Sequence, residues 1–158
     1  LEKNMTDPSS YPSITTASEL TEELYQACQR LIPQLTPNTP PPSRQELALL
    51  LSSGMSLLFL ARHPDFEEAI IGIAALILYR VPTGLRAYIE DVVVDEQARG
   101  RRIGEALTRA CLERAEEAGA SQVMLTSNPN RVAANHLYQR MGFELRNTNV
   151  YRYVIKRG

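Results

Sequence analysis

Tryptophan is absent from the chain, cysteine occurs only twice, and aromatic residues make up 6% of the whole. Two thiols allow at most one disulfide. Cys28 and Cys111 both fall in segments with helical spacing, so reduced, buried thiols of a cytoplasmic protein are expected. Charge of one sign is also lacking: 17 basic side chains face 18 acidic ones, a net charge of -1, which removes any global case for nucleic acid or a membrane surface as partner. No apolar run approaches the roughly 20 residues that a membrane span requires. His63 and His136 stand far apart and no Cys/His cluster exists, so no metal site is expected. No secretory signal is visible, and the residues ahead of Met5 read as a ragged start outside the fold.

What is present suits one mixed domain. A chain of 158 residues can bury a core large enough to need no staple, and 44% hydrophobic against 22% charged residues is ordinary for a globular protein. Residues 1–13 are expected to be a flexible lead-in, with Ser, Pro and Thr frequent from residue 5, and residues 14–158 a single domain. Ile14–Thr16 reads as a short strand. Ser18 can cap a helix over Glu19–Ile32, where Leu20, Leu24, Ala27, Cys28 and Leu31 recur at helical spacing. Four of the ten prolines fall between Pro37 and Pro42 and must end it. Ser43–Leu51 is a second helix.

Ser56–Ala61, Ala69–Tyr79 and Leu85–Val94 are apolar runs joined by tight turns, which predicts an antiparallel meander. A helix over Arg102–Ala118, a strand over Gln122–Thr126, a helix over Arg131–Met141 and a final strand over Tyr151–Ile155 follow. This order gives a mixed α/β (α+β) fold: antiparallel N-terminal strands, a parallel central pair joined by a right-handed crossover, and about four flanking helices.

The chemistry concentrates between Tyr88 and Leu107, where a strand ending at Val94 leads into Arg99-Gly100-Arg101-Arg102-Ile103-Gly104 and a helix. A helix start presents about four unpaired N–H groups and roughly half a positive charge, so arginines crowded there make sense when an anion is bound. Residues 97–114 hold five Arg and two Glu, whereas residues 86–96 hold one Arg and four acids. A basic phosphate site beside an acidic patch suits a polyphosphate cofactor and a cationic substrate; a solvated basic helix start is the plainer reading. A Walker loop would need Lys-Ser/Thr where Glu105-Ala106 stand, and the dinucleotide fingerprint would need a third glycine.

The loop resembles that of the GCN5-related N-acetyltransferases (GNAT family), Gln/Arg-x-x-Gly-x-Gly/Ala, with Arg102 where glycine is usual. A second stretch, Asn135-His136-Leu137-Tyr138-Gln139-Arg140-Met141-Gly142-Phe143, is similar to the family's late helix and turn, at the expected separation. The string Ile89–Val94 also resembles the glucosamine-6-phosphate N-acetyltransferase branch. The resemblance implies acetyl-coenzyme A as cofactor, its pyrophosphate on Arg99, Gly100, Arg101, Arg102, Ile103, Gly104 and Glu105. Its pantetheine arm would lie along Val92, Val93 and Val94 as an added strand, with Asn130 and Asn135 as further contacts. Asn130 is equally explained as a helix cap after Pro129.

Acyl transfer to an amine needs a base, since an alkyl ammonium has a pKa near 10. Glu90 or Asp91 is the candidate. Adjacent strand residues point to opposite faces, but a bulge, which the resemblance suggests, could turn both toward the cleft; Glu90 is favoured. Tyr138 is the family's usual general acid, although it shares an apolar face with Ala134, Leu137 and Met141 and fits a core tyrosine too. Cys111 lies on an apolar stripe, which speaks against a thiol nucleophile. The expected activity is direct acetyl transfer to a primary amine, chiefly of a small molecule such as an amino sugar. The alternatives are an amino-terminal or lysine acetyltransferase, a non-catalytic acyl-coenzyme A sensor, and a nucleotide-binding regulator. Dimers are common in the family, so the resemblance admits a homodimer.

Overall fold

The computed structural model describes residues 11–155, so most of the expected lead-in (residues 1–10) lies outside the described residues. Two compact units divide after Thr126. The first holds a sheet in the spatial order β1 (Ser13–Thr16), β2 (Ser56–Arg62), β3 (Ile70–Val81), β4 (Gly84–Val94) and β5 (Val123–Met124). β1 to β4 pair antiparallel and β4 pairs parallel with β5, the mixed arrangement expected. Helices α1 (Glu22–Leu35) and α2 (Arg44–Ser52) precede the meander, and α3 (Ile103–Glu117) makes the crossover between β4 and β5.

Sequence explains these elements locally. Thr21, rather than Ser18, caps α1 by accepting the Leu24 N–H, and the helix continues past Pro33 to Leu35 before the proline-rich segment. Ser43 and Glu46 form a reciprocal capping box on α2. β3 is buried on both faces because helices cover both. Leu24, Ala27, Cys28 and Leu31 of α1 and Leu47 of α2 pack with Leu58, Leu60, Ile73 and Val93 on one face. On the other face Gly72 lets α3 close in: a Cβ there would stand 3.1 Å from Leu107 Cδ1 and 3.2 Å from Ile103 Cγ2.

β5 is shorter than the five residues expected. The second unit contains α4 (Val132–Arg140), but Tyr151–Ile155 forms no strand. Its alternating apolar residues have the right composition, yet a strand exists only through a hydrogen-bonded neighbour, and this segment pairs with none of the described strands; Tyr151, Tyr153 and Ile155 are exposed.

Candidate active site

The acids and the basic loop expected from the sequence sit on one continuous stretch, β4 into α3. Ala75 lies opposite Glu90 and Ile73 opposite Val93, so β4 carries one more residue than β3 over this interval. That is a β-bulge, and Asp91, with φ 51°, supplies its left-handed residue. Aspartate tolerates that conformation better than most side chains. The extra residue changes which face follows. Glu90 and Val93 both pair with residues of the α1-facing side, and Val93 joins the core there. Glu90 and Asp91 are both exposed, as solvent-accessible acids must be to meet a substrate.

The Glu90 carboxyl is held above the usual carboxylate range, first by partial desolvation and second by the adjacent Asp91 carboxylate. A base poised nearer neutrality is the consequence. β5 pairs only with Ala87 and Tyr88, so among the described strands none covers the outer edge of β4 from Ile89 to Val94. Val92 and Val94 therefore offer backbone groups on that edge to an extended molecule, whereas Val93, also expected to contact the arm, turns its backbone toward β3, where it pairs with Ile73.

Beyond β4 the chain is pinned to α1. Asp95 caps a 3₁₀ turn over Glu96–Ala98 by accepting the Gln97 N–H, and its other oxygen meets Arg30 Nε at 3.0 Å. Arg30 also donates to the Ile70 carbonyl, and the Glu96 N–H donates to Gln34 Oε1 at 2.9 Å. These contacts fix where the basic loop begins. Gly100 has φ 81°, and Arg102, the residue before the first turn of α3, has φ 60° and makes no side-chain cap. The first-turn amides of Ile103, Gly104 and Glu105 thus lack the side-chain acceptor that a Ser or Asp would have supplied.

The arginines are not all idle. Arg101 Nε bonds Asp65 Oδ2 at 3.2 Å and its guanidinium lies 5.0 Å from the centre of the Phe66 ring. Arg102 and Arg109 both reach Glu105, at 3.3 and 3.1 Å, and Arg109 chiefly holds its carboxyl below the ordinary value. Arg99 has no ion pair among the described residues. The opposed charges counted along the sequence are therefore partly neutralised: Asp95 is engaged by Arg30, leaving Glu90 and Asp91 as the unpaired acids of β4. An uncapped helix mouth with a basic rim and an open strand edge fit a diphosphate with an extended arm.

Three expected residues belong to the second unit. Tyr138 on α4 packs edge-on against Phe143, ring centres 5.7 Å apart. The Asn135 side chain donates to the Asn128 carbonyl at 2.9 Å. Asn130 is not the helix cap; Arg131 occupies that position, while the Asn130 N–H donates to Asn128 Oδ1. Arg30, Gln34, Asp65 and Phe66 were invisible as site supports, because each acts on the loop from a distant part of the chain. Both cysteines are buried and unpaired, and burial pushes Cys28 up to about 11 and Cys111 to about 12, so neither is a ready nucleophile. Among the described residues no three His, Cys, Asp or Glu gather as metal ligands, and no helix is long and apolar enough to cross a membrane.

Comparison with known proteins bears on this geometry. A family profile described as acetyltransferase (GNAT) family matches residues 19–143. N-alpha-acetyltransferase 30 of Schizosaccharomyces pombe is 34% identical over 73 residues, covering 46% of this chain and 48% of that protein, so the match spans about half of the curated relative. An aminoglycoside acetyltransferase from an uncultured soil metagenomic sample, solved in complex with sisomicin, superposes with a TM-score of 0.81 at 19% identity, covering 96% of this chain and 100% of that one. Glucosamine-6-phosphate N-acetyltransferase from Arabidopsis thaliana superposes with a TM-score of 0.73 at 17% identity, covering 89% and 98%. The two structural likenesses speak to the fold.

Proposed function

The chain belongs to the GNAT acetyltransferase family, and from that premise we propose that it draws on acetyl-coenzyme A and passes the acetyl group directly to a primary amine of a small molecule. The observation carrying the proposal is the run from β4 to α3, which joins a partly desolvated acid, an open strand edge and an uncapped, arginine-rimmed helix mouth. We take residues 14–158 to act as one acetyltransferase domain.

Acetyl-coenzyme A supplies an acyl group already activated as a thioester. The chain's own part is to bind, orient and move protons. Backbone N–H groups from Arg99 to Glu105, with the helix dipole behind them, receive the diphosphate. The β4 edge at Val92 and Val94 aligns the arm, and the Val92 N–H polarises the acyl oxygen. Glu90 takes a proton from the substrate ammonium, directly or through water, and its raised pKa shortens the gap between base and acid. Asp91, beside it, holds the cation. Tyr138 Oη returns a proton to the departing sulfur, and Asn130 and Asn135 are the further contacts proposed for the arm. Cys28 and Cys111 take no part, which favours direct transfer over a covalent enzyme intermediate.

A second acceptor has an observation in its favour. The similarity to N-alpha-acetyltransferase 30 over 73 residues supports a peptide amino terminus. One assay separates the readings: acetyl-coenzyme A with amino sugars, aminoglycosides, short peptides with free amino termini, and lysine-containing peptides, following release of free thiol. Thiol release with small amines is expected. Release with peptides alone would move the substrate to the second reading. Cofactor binding without release for any amine would identify a sensor and overturn the enzymatic proposal.

A further inference from the structure

Beyond Ala75 the hairpin of β3 and β4 runs out from under α1 and α2. The core those helices cover takes in Ile73 and Val93, with Ala75 packed at its rim, and does not extend to Ile77, Tyr79 or Tyr88. Directly opposite residues of an antiparallel pair share a face. The register Glu90–Ala75, Tyr88–Ile77 and Arg86–Tyr79 therefore puts Glu90, Tyr88 and Arg86 in one row on the α1-facing side. Tyr79 and Tyr88 are half-buried, and neither hydroxyl has a hydrogen-bond partner among the described residues. The row is charged in opposite senses at its two ends. Glu90 and Asp91 are the exposed acids at one end. At the other, Arg86 donates to a hydroxyl, Thr83 Oγ1, at 2.6 Å, and enters no ion pair among the described residues. No acid occurs from Ala69 to Ile89, so this stretch of the hairpin supplies no carboxylate to offset it.

We propose that this row is the floor for the acceptor and that Arg86 is a specificity-determining residue: the amine lies at Glu90, its body on the Tyr88 ring, and an anionic far end at Arg86. The inference rests on the proposed function above. It adds the acceptor class, a primary amine that carries a carboxylate or phosphate at its other end. At about 3.4 Å per residue, Tyr88 stands about 7 Å and Arg86 about 14 Å along the strand from Glu90, the span of a small extended molecule. A guanidinium offers two parallel donors to a carboxylate or phosphate, which makes the far contact directional as well as charged. A second ammonium at that end would be repelled, so the charge that favours an anion also rejects a diamine.

Three acceptors of one length test this with the intact chain and acetyl-coenzyme A: aminooctanoate, aminooctanol and diaminooctane, each with its amine at the chain end, which differ only in the charge at the far end. Measured by thiol release, kcat/KM is expected to fall in that order, by about 3- to 10-fold from first to last. Arg86→Gln should bring the first and last to within about 2-fold, Arg86→Glu should reverse their order, and Arg86→Lys should keep it. Tyr88→Ala should raise KM for all three by about 3- to 10-fold and preserve the order. A parent that prefers the diamine, or acetylates none of the three, overturns the proposal. An order that survives Arg86→Glu, or a KM untouched by Tyr88→Ala, overturns it too. A merely structural Arg86 would lower all three rates together and leave their ratios intact, with the same consequence. Absence of thiol release with every amine and peptide of the wider panel would defeat the proposed function itself, an outcome distinct from failure at Arg86.

Discussion

A carboxylate placed to accept a proton works against the fold that holds it. Glu90 is raised by desolvation and by Asp91, so its charged form is less stable in the folded chain than in the unfolded one. The sign follows from linkage. A group whose folded pKa lies above its unfolded value stabilises fully below the unfolded pKa, near 4.3, and that contribution is lost as pH climbs through the folded pKa. Glu90→Gln should therefore raise the Tm at pH 7, by about 1–3 °C, with the gain fading as pH falls through the raised folded pKa and gone below about 4.3. Acetyl transfer should fall by about 10²- to 10⁴-fold in the same variant. A variant with parental turnover would move the base to Asp91. Tyr138 makes a separable case, since its ring packs on Phe143 whether or not its hydroxyl moves a proton. Tyr138→Phe keeps that packing, so coenzyme A affinity should stay near parental while turnover drops about 10-fold or more. Full turnover in Tyr138→Phe would leave it a packing residue.

At the scale of elements, the helix that carries the basic loop is seated on the sheet by one missing side chain. Gly72 lies on β3 beneath α3, and a Cβ there would meet Leu107 Cδ1 at 3.1 Å, Ile103 Cγ2 at 3.2 Å and the Val93 carbonyl oxygen at 3.2 Å. Two of these neighbours are fully buried side chains with little room to yield, and the third is backbone. Gly72→Ala should destabilise by about 1–3 kcal/mol, read as a lower urea midpoint at unchanged slope, and weaken coenzyme A because Ile103 begins the helix mouth. Nothing in the run Ile70–Tyr79 marks Gly72 as special; its role is set by a helix more than thirty residues away. The same physics separates the legible from the illegible elsewhere. Helical spacing, hydroxyl caps and β-branched runs are local signals, and they yielded α1 to α4 and the meander to within a few residues. The order of Arg99–Gly104 after β4 marked the loop, because strand, turn and helix start are contiguous in the chain. Arg30 on Asp95 and Asp65 on Arg101 depend on tertiary approach and left no such trace. Tyr151–Ile155 shows the converse: strand composition is local, but a strand needs a neighbour.

Taken as a whole, the chain is slightly acidic yet is proposed to bind a polyanion, so its global field cannot be the source of affinity. The attraction must come from donors within a few ångströms, the amides at the start of α3 and the arginines beside them. Charges at such range are screened far less by salt than a field acting over a Debye length of about 10 Å. Ligand linkage turns this into a measurement. Coenzyme A at about 100 times its dissociation constant should add about 2.7 kcal/mol to unfolding, a Tm rise of about 5–10 °C for a chain of this size. Raising sodium chloride from 50 to 500 mM should shrink that rise by less than about half, because only the arginine share of the contact is screened and the amide share persists. A rise that vanishes in high salt would mean loose attraction to a basic surface, and the helix mouth would lose its claim to be a formed phosphate site. A rise that survives nearly intact would assign the grip to the backbone, which folding builds whenever β4, the turn at Asp95 and α3 come together.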